Sequence, residues 1–264
     1  MSKHQFGVQT YTVRRLQKKD IKSTYKSLSD MGVKSIEISR IDFTKENAKT
    51  VSEACREYGI TVSALQVKPK YVFGDTENII NFAHTVGAKT VVISMLPFRC
   101  ILGGEDKFYA FLSSLDPMAE RYRKEGITLA YHHHNWEYIT LKNGRTRMEE
   151  MLTKTELISF VNDTYWTARC GRAPAKQIQE FGTRLAGIHL RDLTFYKKGL
   201  SVIPRDTAVG SGVIDFSEVL SALGEVSPAY LVIEQNSDAP LSDIKKSLSA
   251  LSDISTKMNN KELL

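Results

Sequence analysis

The sequence predicts a (β/α)8 barrel built as a single domain over residues 1–264. Two observations carry this. Short apolar runs alternate with amphipathic stretches from one end of the chain to the other, in eight strand–helix units. A glycine stands just past successive helical segments, at Gly32, Gly59, Gly87, Gly126 and Gly182, where a left-handed stop is common. The competing doubly wound sheet lacks its Gly-rich fingerprint, because the first strand runs into Gly7-Val8-Gln9-Thr10 and not GxGxxG.

Taken in order, Phe6 to Val13 reads as a strand and Ile21 to Met31 as a helix. The alternating Lys34 to Ser39 is the second strand, followed by a helix from Lys45 to Tyr58. Ile60 to Val67 and Thr90 to Leu96 are the third and fourth strands, separated by a helix over Thr76 to Val86. A helix from Lys107 to Lys124 leads into the fifth strand, Ile127 onward, which ends in Tyr131-His132-His133-His134-Asn135-Trp136-Glu137. Met148–Thr155 (helix), Leu157–Asn162 (strand), Ala173–Phe181 (helix) and Ala186–Leu190 (strand) continue the series. Phe216 to Leu223, Tyr230 to Glu234 and Leu241 to Met258 close it as helix, strand and helix. Lys197 to Thr207 makes a polar connection longer than usual and is expected to form a lid.

Composition points to a soluble, cytoplasmic protein. Hydrophobic residues make up 42% of the chain and charged residues 25%, as in ordinary globular domains. No stretch approaches the roughly 18 apolar residues of a membrane helix, and the start lacks the apolar core of a signal peptide. Cys55, Cys100 and Cys170 are odd in number and widely spaced, which fits free thiols in a reducing compartment. The net charge of +6 is spread over many segments with a few short clusters, as on solvated helix faces; it also suits an anionic small molecule, and nucleic acid is not the expected partner.

Chemistry in such a barrel sits at the C-terminal ends of its strands. Half of the six histidines fall at one of those ends. Alternation puts His132 and His134 on one strand face and His133 on the other. The remaining ends supply Glu37 and Ser39, Gln66, Asp163, then His189, Arg191 and Asp192, and finally Glu234, Gln235 and Asn236. His, Asp, His and Glu on consecutive ends form a mixed nitrogen and oxygen set suited to one divalent ion such as Mn, Zn, Co or Fe(II). Arg191 shares a strand face with His189 and is placed to hold a substrate oxygen, while Arg40 and Lys68 are further rim cations. Gly210-Ser211-Gly212 precedes a helix in the loop region where barrels often seat phosphate. Trp136, Trp166, Phe98 and Tyr11 are candidates to pack on a sugar ring.

These residues together resemble the xylose isomerase-like barrels, a group that includes sugar-phosphate isomerases and epimerases, inosose dehydratase and endonuclease IV. The matching stretches are Tyr131 to Glu137, Ile188-His189-Leu190-Arg191-Asp192, Val209 to Phe216, and Val232-Ile233-Glu234-Gln235. The resemblance implies Asp163, His189 and Glu234 as metal ligands, with a fourth from the fifth strand. Family members often have a glutamate there; this chain offers His134 or His132, and His134 is taken as the ligand. Catalysis by Glu234, Glu137 and His132 and substrate contacts from Arg191, Gln66, Glu37 and Trp136 complete the expected site.

The expected activity is isomerisation or epimerisation of a sugar, keto-sugar or sugar phosphate through an enediolate. A keto-sugar or keto-inositol dehydratase shares that intermediate and is the alternative. A non-catalytic binding subunit is less favoured. So is DNA repair of the endonuclease IV type, because Trp166 stands where that enzyme has a histidine and six histidines poorly supply three metals. A homo-oligomer is compatible with the sequence.

Overall fold

The computed structural model describes residues 5–224 and 226–261. Ten strands occur among them: β1 Phe6–Gln9, β2 Ser35–Ile38, β3 Thr61–Val67, β4 Thr90–Ile93, β5 Thr128–His132, β6 Ser159–Asp163, β7 Leu185–Leu190, β8 Asp192–Lys198, β9 Ser201–Thr207 and β10 Tyr230–Ile233. Eight of them close a parallel barrel in the order β1-β10-β7-β6-β5-β4-β3-β2, and β8 and β9 form a separate antiparallel hairpin. The (β/α)8 barrel read from the sequence is therefore the fold. No described helix is long and apolar enough to cross a membrane.

The barrel interior is filled, not hollow. Ala64, Val92, Ala130, Val161, Ala186, Tyr230 and Val232 pack inside it, while the outward strand faces join the helices in a larger apolar core. Strand alternation then decides what reaches the mouth. His132 lies two residues beyond Ala130, Asp163 two beyond Val161, and Glu234 two beyond Val232, so each inherits the inward face of its strand. His189 is brought level with Asp163 and Val232 by the β6–β7 and β7–β10 register.

Two glycines show how tightly that interior is filled. A Cβ on Gly7 would lie 2.4 Å from the Ser35 hydroxyl, and one on Gly187 would lie 2.3–2.6 Å from carbons of the buried Tyr230 ring. Gly187→Ala is therefore expected to cost about 1–3 kcal/mol in urea unfolding, the usual range for overpacking a full core. Loss of under half a kcal/mol would show that the Tyr230 ring can move.

Several details depart from the sequence expectation. β1 stops at Gln9, because the amides of Thr12 and Val13 turn back to the carbonyls of Gln9 and Thr10. That early turn places Tyr11 in the barrel mouth. Short helices at Arg14–Lys19, Pro69–Gly74, Phe98–Leu102 and Thr164–Arg169 lie in loops and were not expected. Each has only five or six residues, too few to show amphipathic periodicity. Gly182 has φ 51° and ψ −131°, outside the left-handed helical region of Gly59 and Gly87, since it opens a 3-10 turn leading straight into β7. The predicted lid segment is ordered as most of the β8–β9 hairpin.

Candidate metal centre

His132, Asp163, His189 and Glu234 converge at the mouth. Each offers a ligand atom, those atoms lie within 4.8 Å of one another, and all four residues are buried. The strand-five member of this group is His132, which corrects the sequence assignment of His134. The physical reason is depth: His132 is the last residue of β5, whereas His134 lies past the strand end. The His134 ring meets His132 edge-on with centroids 4.8 Å apart, and it lines the cavity above. His133 points away as alternation requires, and its Nε2 accepts the Asp163 amide at 3.1 Å. Burial, reinforced by the neighbouring His132, pulls its pKa down to about 4, so it stays a neutral acceptor.

His132 Nε2 and Asp163 Oδ2 lie 3.3 Å apart and bond each other, while His189 Nδ1 and Glu234 Oε2 are left without a hydrogen bond among the described residues. His189 Nδ1 and Glu234 Oε2 are 2.8 Å apart without hydrogen-bond alignment, and Asp163 Oδ2 lies 4.0 Å from the same nitrogen. A buried imidazole nitrogen and a buried carboxylate oxygen left this way fit a divalent ion with nitrogen and oxygen ligands. On its other side, His189 Nε2 donates to both Glu37 oxygens at 2.9 and 3.0 Å. A carboxylate in this position is the kind of partner that orients an imidazole in metal sites. Glu37 is fully buried beneath His189 and does not line the cavity, so its sequence role as a substrate contact is corrected to a positioning one. Glu37→Gln is expected to weaken metal affinity about 10- to 100-fold with little change in fold. Competition with a fluorescent chelator measures it; parent-like affinity would remove Glu37 from the assembly.

Arg191 crosses the acidic side of the group. Its Nη1 donates to Asp163 Oδ2 at 3.1 Å and Glu234 Oε1 at 3.2 Å, and its Nη2 reaches Asp206 Oδ2 at 2.8 Å. Burial opposes ionisation of both carboxyls, but the Arg191 guanidinium outweighs it. With help from His132, Asp163 is held well below the usual carboxylate range; with help from His189, Glu234 is lowered to about 2. Burial also opposes charge on His189, yet Glu37 and Glu234 push its pKa up to about 10. Both carboxylates are thus anions at neutral pH, the state a metal ligand requires, whereas a bound ion would have to displace the Nδ1 proton of His189.

Other expected residues divide. Gln66 lines the cavity and takes a hydrogen bond from Gln9 Nε2 at 3.0 Å; Arg191 lines it as well. Glu137 does not. It is fully buried and accepts from the Tyr131 hydroxyl and from the His134 amide at 2.7 Å, which corrects its sequence role as a catalytic acid or base. Trp136, on a 3-10 turn, and Phe98 are both exposed outside the cavity wall; Tyr11 and Trp166 are the aromatics of that set that line it. Asp206 is a site residue with no signal in the sequence, since it reaches Arg191 only through the strand pairing of the hairpin.

The glycine loop before Phe216 is already occupied. The amides of Gly210, Gly212, Ile214 and Leu193 all donate to the Asp192 carboxylate, at 2.8–3.1 Å. A Cβ on Gly212 would lie 2.4 Å from that carboxylate. The amides that suggested a phosphate seat therefore hold the chain's own acid.

Comparison with known proteins follows this geometry. A sequence model of the xylose isomerase-like TIM barrel family matches residues 25–254. The chain belongs to this family. An inosose dehydratase of Lacticaseibacillus casei is 22% identical over 187 residues, covering 60% of this chain and 61% of that protein. The chain thus spans about three-fifths of the length of the curated relative it matches. A sugar phosphate isomerase/epimerase from Parabacteroides distasonis superposes with a TM-score of 0.78 at 17% identity, covering 97% of this chain and 96% of the other. A xylose isomerase-like TIM barrel protein from Mycobacterium smegmatis, in complex with magnesium, has a TM-score of 0.67 at 11% identity, with coverages of 89% and 88%. At these identities the structural matches establish the shared fold.

Proposed function

We propose that this member of the family is a divalent-metal-dependent enzyme that removes a proton next to a carbonyl in a sugar-type small molecule, giving isomerisation or epimerisation. The observation that carries the reading is the buried His132–Asp163–His189–Glu234 group, whose ligand atoms converge and of which His189 Nδ1 and Glu234 Oε2 have no hydrogen-bond partner among the described residues. The magnesium complex of a similarly folded protein agrees with it. His132, Asp163, His189 and Glu234 would hold the ion, and Glu37 would orient His189. A divalent ion supplies Lewis-acid polarisation of a carbonyl and compensates the negative charge of an enediolate.

The chain's own residues do the rest. Glu234 is ionised at neutral pH and is the group placed to take the carbon-bound proton. Arg191, fixed by Asp163 and Asp206, keeps the second Glu234 oxygen from rotating away and presents its guanidinium to the cavity. His134 faces the cavity with Nδ1 buried and unpartnered. Burial and then the His132 charge hold it well below the usual histidine range, so it enters the reaction as a neutral imidazole. Trp166, with its ring centroid 5.0 Å from that of His134, screens it from water.

A specific observation also favours dehydration. Sequestration of Glu137 removes the second carboxylate that the sequence offered for proton exchange on the opposite substrate face. Glu234 as base and neutral His134 as relay can instead pass the proton taken from carbon to the leaving hydroxyl, which departs as water; the inosose dehydratase relative agrees. The experiment is metal analysis of purified protein, then incubation with aldo- and keto-sugars in deuterated water. About one ion per chain and carbon-bound deuterium without loss of water support isomerisation. Net water loss selects dehydration. A metal-free protein that catalyses no exchange overturns both.

A further inference from the structure

We infer that the mouth carries an anion seat built from Arg40 and Lys68, so that the substrate bears a phosphate or carboxylate at the end remote from its carbonyl. This rests on the metal-centre reading for the orientation of the substrate, but the seat itself is argued from other residues.

The cavity above the cluster has a volume of about 550 Å³. Its basic lining side chains are Arg191, Arg40 and Lys68, besides the histidines. Arg191 is spent on Asp163, Glu234 and Asp206. Arg40 and Lys68, both exposed on the rim, form no ion pair among the described residues. Arg40 follows β2 and Lys68 follows β3, neighbouring strands in the barrel. In the closed strand order, β2 and β3 stand across the barrel from β6 and β7, which carry Asp163 and His189. A ligand that reaches from the cluster across the mouth therefore ends at these two cations.

Arg40 is held there at a conformational cost. It is the one non-glycine residue with positive φ among the described residues, at 58°. A left-handed arginine is disfavoured, and such outliers persist where the surroundings or function require them. The strained backbone puts the guanidinium over the ring of Tyr11, 5.1 Å from its centroid, on the cavity wall. The same ring is flanked by Arg14 at 4.0 Å, which is tied to the Tyr11 carbonyl and Asn236. Asp42, exposed on the same wall, is the nearby acid in sequence, yet it lies beyond ion-pair distance of both cations. The alternative anion seat, the Gly210–Gly212 loop, is filled by Asp192. Two uncommitted cations opposite a metal-type cluster recognise a small polyhydroxy compound with a terminal anion; phosphate and carboxylate share that chemistry.

Glucose, glucuronate and glucose 6-phosphate make a matched probe set, because only the group at the sixth carbon differs. Calorimetric titration of the parent, R40G and K68M proteins, each incubated with Mn²⁺ and assayed for bound metal, tests the seat. The parent is expected to bind at least one anionic probe tenfold or more tightly than glucose, and the preferred probe reports carboxylate or phosphate. In R40G and K68M that advantage should shrink at least fivefold while metal content is unchanged. Glycine adopts φ 58° freely, so R40G should melt at or above the parent temperature, which separates loss of the seat from misfolding. Equal affinity of the parent for all three probes, or full retention of the anion advantage in both variants, overturns the inference. A parent that binds no metal but still prefers the anions through these two residues would instead overturn the metal-centre reading and leave the seat standing.

Discussion

Glu234→Gln is expected to lower carbon-proton exchange by at least about 10³-fold and to strip the protein of its metal on dialysis. The substitution keeps volume and shape, so the effect isolates charge. In the parent, Oε2 lies 2.8 Å from His189 Nδ1 and Oε1 accepts from Arg191 at 3.2 Å. The amide replaces an anionic ligand by a neutral one and turns an N–H₂ toward either a guanidinium or an imidazole, both donors. Loss of a positioned general base alone removes about 10²–10⁴ in rate, and weaker metal retention adds to that. Folding should suffer less, because Arg191 keeps Asp163 and Asp206 as partners. Metal content after dialysis against a chelator and deuterium uptake by a sugar that the parent exchanges are the two readouts. Full metal retention with parent-like exchange would take Glu234 out of both roles.

The route from sequence to site was direct where strand alternation alone decides the outcome. Barrel closure, the inward faces of Asp163, His189 and Glu234, and the outward face of His133 all follow from the period of two and the parallel register. It failed where the distance past a strand end matters. His132 and His134 share a face, and only their height above the barrel floor separates a cluster member from a cavity-wall residue. Glu137 looked like a second carboxylate, but the turn Trp136–Tyr138 folds it down onto Tyr131. Glu37 lies below the mouth and turns to His189, a partner 152 positions away in the chain that strand alternation alone does not reveal. The Asp192 loop shows the same limit: Gly210-Ser211-Gly212 reads as an anion-binding stretch, and it does bind an anion, the one supplied by β8.

Arg191→Met is expected to destabilise the metal-free protein by about 3–5 kcal/mol and to enlarge the stabilisation that metal confers. The guanidinium is buried and touches three carboxylates at 2.8–3.2 Å, two of which belong to the cluster. Removing it leaves Asp163 and Glu234 as buried anions without their main counter-charge, the circumstance in which breaking an ion pair is most costly. For a domain of this size the loss corresponds to a fall in melting temperature on the order of 10 °C. A divalent ion compensates the same carboxylates, so metal should recover more of the melting temperature in the variant than it adds to the parent. Thermal melts of both proteins in EDTA and in Mn²⁺ give the four values needed. If the variant in EDTA melts within about 2 °C of the parent, Arg191 is a peripheral ion pair of the kind that contributes little. If metal raises both proteins equally, Arg191 and the ion do not answer to the same two carboxylates, and the cluster's charge is balanced in some other way.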